Sequence, residues 1–333
     1  MRVTAKQIAR ELGISEASVS LALNNRPGVS ARTRKRVLAC ARSLGYDLTR
    51  KERHDAHPKT IFLIRHTRAI HKDVPFFDEL MGGIQSAVAA LGIRLSVVTV
   101  DARSNIYEQL EDVRRAREAG AILLGTELLD GDWPPYSLLE LPIVVLDCYL
   151  PNLDVDCVTI NNHQGAYRAT QLLLKESRGC PGRLVSTVSL KNFQERRDSF
   201  MSAVHEAGYS ITRVITHTLG ANVDDAERDM AAIIDRGDPL ASCYLADFDQ
   251  LAIGAVRAFS SRGIRVPEDI SVIGFDDIEM ARYLDPPLTT VHVNKQNLGY
   301  VAVTRLLQLF DQSLHEPLRI EVSATLMQRG TTL

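Results

Sequence analysis

From Thr60 onward, short apolar runs alternate with stretches of helical periodicity, and this alternation restricts the fold more than any other feature of the sequence. The first series of runs is TIFLI (60–64), LSVVTV (95–100), AILLG (121–125), IVVLD (143–147) and CVTI (157–160). The second series is RLVSTVS (183–189), VITHT (214–218), CYLA (243–246) and ISVIGF (270–275). Buried strands that alternate with helices form parallel sheets with right-handed crossovers. The pattern therefore predicts two doubly wound α/β lobes.

Helical stretches separate these runs, among them FDELMGGIQSAVAALG (77–92) and NIYEQLEDVRRAREAG (105–120). We expect the first lobe to span about 60–161 and 291–320, and the second lobe about 162–290 and 321–333. Ligands of doubly wound sheets bind outside the carboxyl ends of the strands. With two such sheets, the predicted ligand site is the cleft between the lobes.

The first 60 residues differ in charge from the rest of the chain. They contain 13 Lys and Arg against 5 Asp and Glu, a net charge of +8, whereas 61–333 contains 26 against 36, a net charge of −10. A basic block on an acidic body favours a polyanion as the partner of the block and a different partner for the body. The alternative is that these charges are only solvated.

Three short helices are predicted in the basic block. Thr4 begins a capping-box pattern for the first helix, which ends at Gly13. Ser15 caps the second helix and Ser30 the third. Two helices joined by a tight turn form a helix-turn-helix, whose second helix reads DNA bases. We therefore expect a DNA-binding domain over 1–47 and a linker over 48–59.

The predicted reading helix carries short side chains, which allow close approach to a major groove about 12 Å wide. Its serines and asparagines can donate to phosphates or base edges, and the arginines of RTRKR (32–36) add charge for the DNA backbone. The predicted DNA-contacting residues are Thr4, Ser15, Glu16, Ala17, Ser18, Ser20, Leu21, Asn24, Asn25, Arg32 and Arg34. The alternative is a small helical bundle with no role in DNA binding.

Residues 4–46 resemble the DNA-binding head of the LacI/GalR family of bacterial regulators. The elements in common are I-A-x-x-x-G-I-S, V-S-x-x-L-N, the P-G-V-S turn, T-R-x-R-V and L-G-Y. The resemblance implies a dimeric transcriptional regulator, more often a repressor, that binds double-stranded operator DNA. It also implies that the body is a periplasmic-binding-protein-like sensor, which dimerises and closes on a small effector.

Two features depart from the family pattern. Leu21 stands where the reading helix usually has an arginine, and leucine can contact only apolar groups such as a thymine methyl. In the linker, the family's Pro, Asn, Ala and Leu positions hold Leu48, Thr49, Glu52 and Asp55. Because a carboxylate cannot wedge into the minor groove, we expect weaker bending of DNA, or a linker that is only a charged tether. We also expect an operator unlike the common family consensus.

The resemblance continues through the body, in VPFFDELMGGI (74–84), RRDSF (196–200), DQLAIGA (249–255) and VPEDISVIGFDDIEMARYLDPPLTTV (266–291). Carried over residue by residue, it places aromatic rings on the first-lobe side of the cleft and an arginine on the second-lobe side. Carboxylates at strand ends and at the start of a helix complete the set. The predicted effector-binding residues are Phe76, Phe77, Asp147, Arg196, Asp249 and Asp276.

Aromatic faces stack on the C–H side of a ring, and arginine and aspartate bond to hydroxyl groups. We therefore expect a sugar or related polyol as effector, with sugar acids, nucleosides and purines as alternatives. Phe248 replaces an asparagine of the family pattern and removes one polar anchor for a sugar. Three purely structural roles remain open as alternatives: Asp249 as a helix cap, Arg196 in a surface salt bridge, and either Phe76 or Phe77 in core packing.

No motif supports a catalytic, cofactor or metal site. The sequence has no G-x-G-x-x-G after the first strand, no G-x-x-x-x-G-K-[ST], no G-x-S-x-G and no H-E-x-x-H.

The scattered cysteines and polar N-terminus predict a cytoplasmic, nucleoid-associated protein without a membrane span. The end at MQRGTTL, without an added heptad, predicts a homodimer on a near-palindromic operator. The alternatives are an α/β enzyme with an accessory DNA-binding head, and a ligand-insensitive regulator whose body only dimerises.

Overall fold

A computed structural model describes residues 5–23, 28–44, 58–69, 75–176, 179–310 and 316–333. The chain folds into a small unit, made mainly of residues 1–58, and a larger unit that begins at Lys59. We call the first unit the head and the second unit the body. Within the described ranges, no helix has both the length and the apolar character needed to cross a lipid bilayer.

The head contains helices α1 (Ala5–Leu12), α2 (Glu16–Leu23) and α3 (Ala31–Ser43). Gly13 has a φ of +65°, a left-handed conformation that glycine adopts without steric cost, and it allows the tight turn between α1 and α2. Small and branched side chains, each at most 5% exposed, form the core of the head: Ile8, Ala9, Val19, Ala22, Val37 and Ala41. The predicted helix-turn-helix is confirmed.

The first lobe of the body is built on a six-stranded sheet. Its strands are β1 (Thr60–Thr67), β2 (Arg94–Asp101), β3 (Ala119–Leu124), β4 (Ile143–Leu146), β5 (Asp156–Ile160) and β11 (Arg319–Val322). They lie in the order β11-β5-β4-β3-β1-β2, and every neighbouring pair is parallel. The strand order reverses between β1 and β3, which leaves a crevice at the carboxyl ends of the strands.

The second lobe has a sheet of the same type. Its strands are β6 (Gly182–Ser186), β7 (Thr216–Leu219), β8 (Cys243–Ala246), β9 (Ser271–Asp276), β10 (Thr289–His292) and β12 (Thr325–Met327). The order is β12-β10-β9-β8-β6-β7, in which only β12 runs antiparallel to its neighbour. The prediction of two doubly wound lobes is confirmed.

The helices of the body are α4 (Pro75–Ala89), α5 (Ile106–Gln109), α6 (Glu111–Arg114), α7 (Pro134–Ser137), α8 (Asn162–Glu176), α9 (Lys191–Glu206), α10 (Val223–Asp235), α11 (Asp249–Ser261), α12 (Met280–Tyr283) and α13 (Lys295–Gln308). Short 3₁₀ turns lie at Asp130–Asp132 and Ile211–Arg213. The chain crosses between the sheets after β5, after β10 and after β11. Each lobe is therefore assembled from separate parts of the sequence.

Two details differ from the sequence-based prediction. The helix expected over 105–120 is replaced by the short helices α5 and α6, and Ala119 and Gly120 already belong to β3. The side chain of Gln109 bonds to the backbone of Asp101 and anchors the first turn to β2. The lobe boundary predicted near residue 320 falls inside β11, where Ile320 pairs with Val158. The last crossing between the lobes therefore lies after Val322.

Helices α4 and α13 of the body approach each other closely at two glycines. A Cβ atom on Gly83 would lie 2.2 Å from the carbonyl oxygen of Gln296, and one on Gly299 would lie 2.7 Å from that of Leu80. The preceding residue in α4, Gly82, has no such neighbour within 4 Å. Packing therefore requires only one of the two consecutive glycines of α4.

We expect Gly83→Ala to lower the free energy of unfolding by about 1–3 kcal/mol, because its methyl group would overlap the Gln296 backbone. Gly82→Ala is the matched control, since alanine gains about 1 kcal/mol in helix propensity there without a clash. Urea unfolding of the full chain measures both variants. Equal stabilisation by the two substitutions would contradict the packing argument.

Candidate effector cavity and DNA-reading head

A cavity lies in the body between the two lobes, where strands of both sheets end. Asp147 follows β4 and Asp276 is the last residue of β9, so each lobe supplies one carboxyl group. The cavity is partly open to solvent. The cavity is lined by Phe76, Phe77, Thr126, Asp147, Ile160, Ser186, Val188, Leu190, Asn192, Phe193, Arg196, Ala221, Phe248, Gln250 and Asp276.

Asp147 is buried at the end of β4, with a φ of +62°, a left-handed conformation that aspartate adopts more readily than most residues. Its carboxyl oxygens accept hydrogen bonds from Asn192 Nδ2 at 3.0 Å and from Thr126 Oγ1 at 2.7 Å. Burial raises the pKa of Asp147 to about 7, while the Thr126 hydrogen bond and the charge of Arg196 act in the opposite direction. Near neutral pH, this group is therefore divided between its charged and neutral forms.

Arg196 and Asp276 form a buried pair on the second-lobe side. Arg196 Nη2 donates to Asp276 Oδ1 at 3.3 Å, and Arg196 Nε donates to Asn162 Oδ1 at 2.9 Å. The guanidinium also lies 3.6 Å from the ring centroid of Phe275. Burial raises the pKa of Asp276, and the neighbouring Arg196 opposes that rise. Because Arg196 is buried, the alternative of a surface salt bridge does not describe it.

One turn of α9 connects the second lobe to the first. Its contacts with the first lobe are Lys191 with Asp130, Asn192 with Asp147, and Glu195 with Arg319. Asn192 Nδ2 also donates to the Asp147 carbonyl at 3.2 Å, while its Oδ1 accepts a hydrogen bond from Asn162 at 3.1 Å. These contacts hold the lobes together through polar groups at the edge of the cavity.

Two pairs of phenylalanine rings line the cavity from opposite lobes. Phe76 and Phe77 pack edge to face, with ring centroids 5.6 Å apart. Phe193 and Phe248 are stacked, with centroids 5.4 Å apart and planes within 4° of parallel. Phe248, at the position of the family's asparagine, therefore extends an aromatic wall where the family pattern has a polar group. Phe76 is 6% exposed and so belongs to the core as well as to the cavity lining.

Asp249 does not line the cavity, in contrast to its assignment from the sequence. It is fully buried at the start of α11, where its oxygens accept hydrogen bonds from Thr290 Oγ1 at 2.5 Å and from the Ile278 backbone N–H at 2.8 Å. The position that precedes α11 is Phe248, so Asp249 is not the helix cap either. Its carboxyl group instead ties α11 to the ends of β9 and β10.

Several lining residues were missed in the sequence, although some carry a signal. Thr126 and Ser186 lie at the carboxyl ends of β3 and β6, where the strand-end rule places ligand contacts. Asn192 and Phe193 lie four and three residues before Arg196, on the same side of α9. Val188 lies in a loop, and no sequence pattern indicates its position.

In the head, α2 presents short side chains to solvent. Glu16 and Ala17 are exposed, and Ser18 and Ser20 are half-buried. Ser15 Oγ accepts a hydrogen bond from the Ser18 N–H at 3.1 Å, so Ser15 caps α2 as predicted. The exposed positions of α2 leave room for the close approach that base reading requires.

Leu21 is half-buried. A Cβ atom on Gly28 would lie 3.1 Å from Leu21 Cδ1, so the leucine side chain lies close to Gly28. In α3, Arg32 is exposed and Arg34 is half-buried, while Ser30 caps the helix through the Thr33 N–H at 3.1 Å.

Some predicted positions lie outside the described residues. They are Thr4, Asn24 and Asn25 of the head, and linker positions Leu48, Thr49, Glu52 and Asp55. Their roles in DNA contact and in bending of DNA stay predictions.

The fold and site together define a two-lobed ligand receptor that carries a helix-turn-helix head. Residues 4–47 match the family model "Bacterial regulatory proteins, lacI family", and residues 182–332 match "Periplasmic binding protein-like domain". The HTH-type transcriptional repressor PurR of Pasteurella multocida is 28% identical over 333 residues, which cover 98% of this chain and 97% of that protein.

Solved structures share the whole architecture. The lac repressor dimer bound to operator and the anti-inducer ONPF has a TM-score of 0.72 and 24% identity, over 100% of both chains. The complex of the transcriptional regulator CelR with cellobiose has a TM-score of 0.71 and 24% identity, over 99% of this chain and 100% of that one. The chain belongs to the LacI/GalR family of bacterial regulators. It is a DNA-binding transcriptional regulator with a ligand-binding domain, and not an enzyme.

Asp147 makes a testable contribution to the pH dependence of stability. Its pKa is raised from 3.8 to about 7, so the folded chain binds more protons than the unfolded chain between these values and loses stability as pH rises. Asp147→Asn keeps the shape but removes the charge. We expect the stability of the variant relative to wild type to rise between pH 5 and pH 8, by an amount on the order of 2–3 kcal/mol.

Urea unfolding at several pH values measures this difference. Asp154→Asn is the control, because Asp154 is an exposed aspartate of the same lobe and its replacement makes the same chemical change at the surface. Parallel pH profiles for wild type and Asp147→Asn would show that Asp147 is ionised normally in the folded chain.

Proposed function

We propose that this protein is a transcriptional repressor that binds a near-palindromic operator as a homodimer and responds to a small effector in the cavity between its lobes. The effector is a sugar or related polyol. The observation that carries this proposal is the convergence of Asp147, Arg196 and Asp276 with phenylalanine rings of both lobes around one cavity. A ligand that contacts both lobes stabilises one lobe arrangement over others, and only this difference in affinity can change the affinity for DNA.

The head supports the DNA-binding part of the proposal. Its α2 has exposed, short side chains, of which Glu16 and Ala17 are the base-reading candidates, and Arg32 and Arg34 are the candidates for phosphate contacts. The similarity to a curated repressor favours repression, and the similarity to a dimer on its operator favours two heads on two half-sites. A regulator of this kind acts on the bacterial nucleoid, in the cytoplasm.

The cavity supports a ring-shaped polyol. Phenylalanine faces stack on the C–H side of a sugar ring, while the carboxyl groups of Asp147 and Asp276 accept hydrogen bonds from donors on its edge. The cellobiose complex of a regulator with the same fold is consistent with a carbohydrate.

A second candidate function is a ligand-insensitive regulator whose body serves only for dimerisation. The contacts of α9 with the first lobe favour it, because Lys191, Asn192 and Glu195 already join the lobes through protein groups alone. A thermal-stability screen separates the two functions. A specific ligand raises the stability of a sensor by RT ln(1 + [L]/Kd), and it has no effect on a body that serves only for dimerisation.

Selection of random double-stranded DNA by the purified full chain tests the recognition of DNA bases by α2. We expect a two-fold symmetric motif, because a dimer places the same α2 on two half-sites. The bases enriched opposite Leu21 should not be restricted to the guanine that an arginine selects. Binding that depends on salt but enriches no motif would contradict sequence-specific recognition by α2.

The variant Asp276→Asn tests the sensor. It keeps the size of the side chain but removes the charge beside Arg196. We expect the apparent Kd of any active sugar, obtained from its thermal shift, to rise about tenfold or more, since charge-assisted hydrogen bonds are lost. Operator binding without ligand should be unchanged, and Asp154→Asn should behave as wild type. A normal ligand response in Asp276→Asn would remove Asp276 from the effector site.

A further inference from the structure

The charged groups of the cavity are not balanced. Among the described residues, its lining contains three charged side chains, Asp147, Asp276 and Arg196. Arg196 lies beside Asp276, with 3.3 Å between Nη2 and Oδ1, so these two charges offset each other. The hydrogen-bond partners of the Asp147 carboxyl group are neutral, Thr126 and Asn192. The charge of Arg196 acts on Asp147, but among the described residues no cationic side chain forms a direct ion pair with it.

A carboxylate removed from water is costly unless a cation pairs with it. Arg196 is bonded to Asn162, to the Asp247 carbonyl and to Asp276, so its charge acts on Asp147 without a direct ion pair. A carboxylate offers about four acceptor sites, and Thr126 and Asn192 use one each. Asp147 thus keeps acceptor capacity toward the cavity.

The walls around Asp147 suit a positive group that is attached to a ring. Aromatic faces attract cations, and Phe76, Phe77, Phe193 and Phe248 line the cavity from both lobes. A neutral sugar would bring no cation into direct contact with Asp147. A sugar acid would bring a like charge next to Asp147 and Asp276, which is unfavourable.

We infer that the effector is a cyclic polyol that carries a protonated primary amine, an amino sugar or an aminocyclitol, whose ammonium group binds the carboxylate of Asp147. The ring lies against the phenylalanine faces, and its hydroxyl groups donate to the second-lobe side at Asp276. This inference rests on the proposed function, because it names the chemistry of the effector in the same cavity.

Matched ligands test the inference on the full-length wild-type chain. Isothermal titration calorimetry at pH 7.5 compares the amino sugars D-glucosamine, D-galactosamine and D-mannosamine with their neutral parent sugars and with their N-acetyl derivatives. The N-acetyl forms keep the ring and the nitrogen but lose the charge. We expect at least one amino sugar to bind about tenfold to a hundredfold more tightly than both of its neutral counterparts.

The variant Asp147→Asn locates the effect. Its side chain can still accept from Asn192 and meet the Thr126 hydroxyl, but it carries no charge. We expect the ratio of amine to neutral affinity to fall to about one in this variant and to be unchanged in Asp154→Asn, which removes an exposed charge from the same lobe. A ratio that persists in Asp147→Asn would overturn the assignment to Asp147.

The outcomes also separate this inference from the proposed function. Neutral sugars that bind as tightly as their amines would overturn the amine requirement and leave a sugar-responsive repressor in place. Absence of binding by every member of the panel, with operator binding intact, would count against both the amine and the sugar effector. Absence of operator binding in a chain that binds an amine would overturn the proposed operator binding and leave the assignment of the amine site in place.

Discussion

Asn192 connects the two lobes through a chain of buried hydrogen bonds that runs from Asp147 to Asp276. Asn192 donates to Asp147 and accepts from Asn162, which in turn accepts from Arg196, and Arg196 donates to Asp276. Each residue of this chain is a hydrogen-bond partner of the next, so removal of one side chain would leave a buried polar group unpaired. Because its two ends lie at strand ends of different sheets, this chain determines how both carboxyl groups face the cavity.

The backbone around this chain is held in unusual conformations. Asp147 and Asp276 have φ values of +62° and +102°, which cost free energy for residues other than glycine and persist only where the surroundings compensate. Here the chain next to both residues is fixed by the cores of the two lobes, which include Cys148 beside Asp147 and Ile278 near Asp276. The rigid sheets therefore present strained, poorly solvated carboxyl groups to a ligand, an arrangement typical of binding sites.

Much of this arrangement could be predicted from the sequence. The alternation of apolar runs and helices predicts both sheets, and Asp276 and Asp147 stand directly at the ends of predicted strands. Asp249 shows where such reasoning fails, because its neighbour Gln250 lines the cavity while Asp249 itself turns to Ile278 and Thr290. One residue along a helix changes the direction of a side chain by about 100°. A sequence pattern that is uncertain by one position cannot separate these two roles.

The sequence by itself determined the order of the elements, the helix-turn-helix with its Ser15 and Ser30 caps, and the charge difference between the head and the rest of the chain. These properties depend on residues close together in the chain, through periodicity, capping and composition. The tertiary structure alone decided that Asn192 reaches Asp147 and that Phe193 stacks on Phe248. These contacts join residues 45 and 55 positions apart, and they follow from how two separately assembled sheets face each other, which no local pattern encodes.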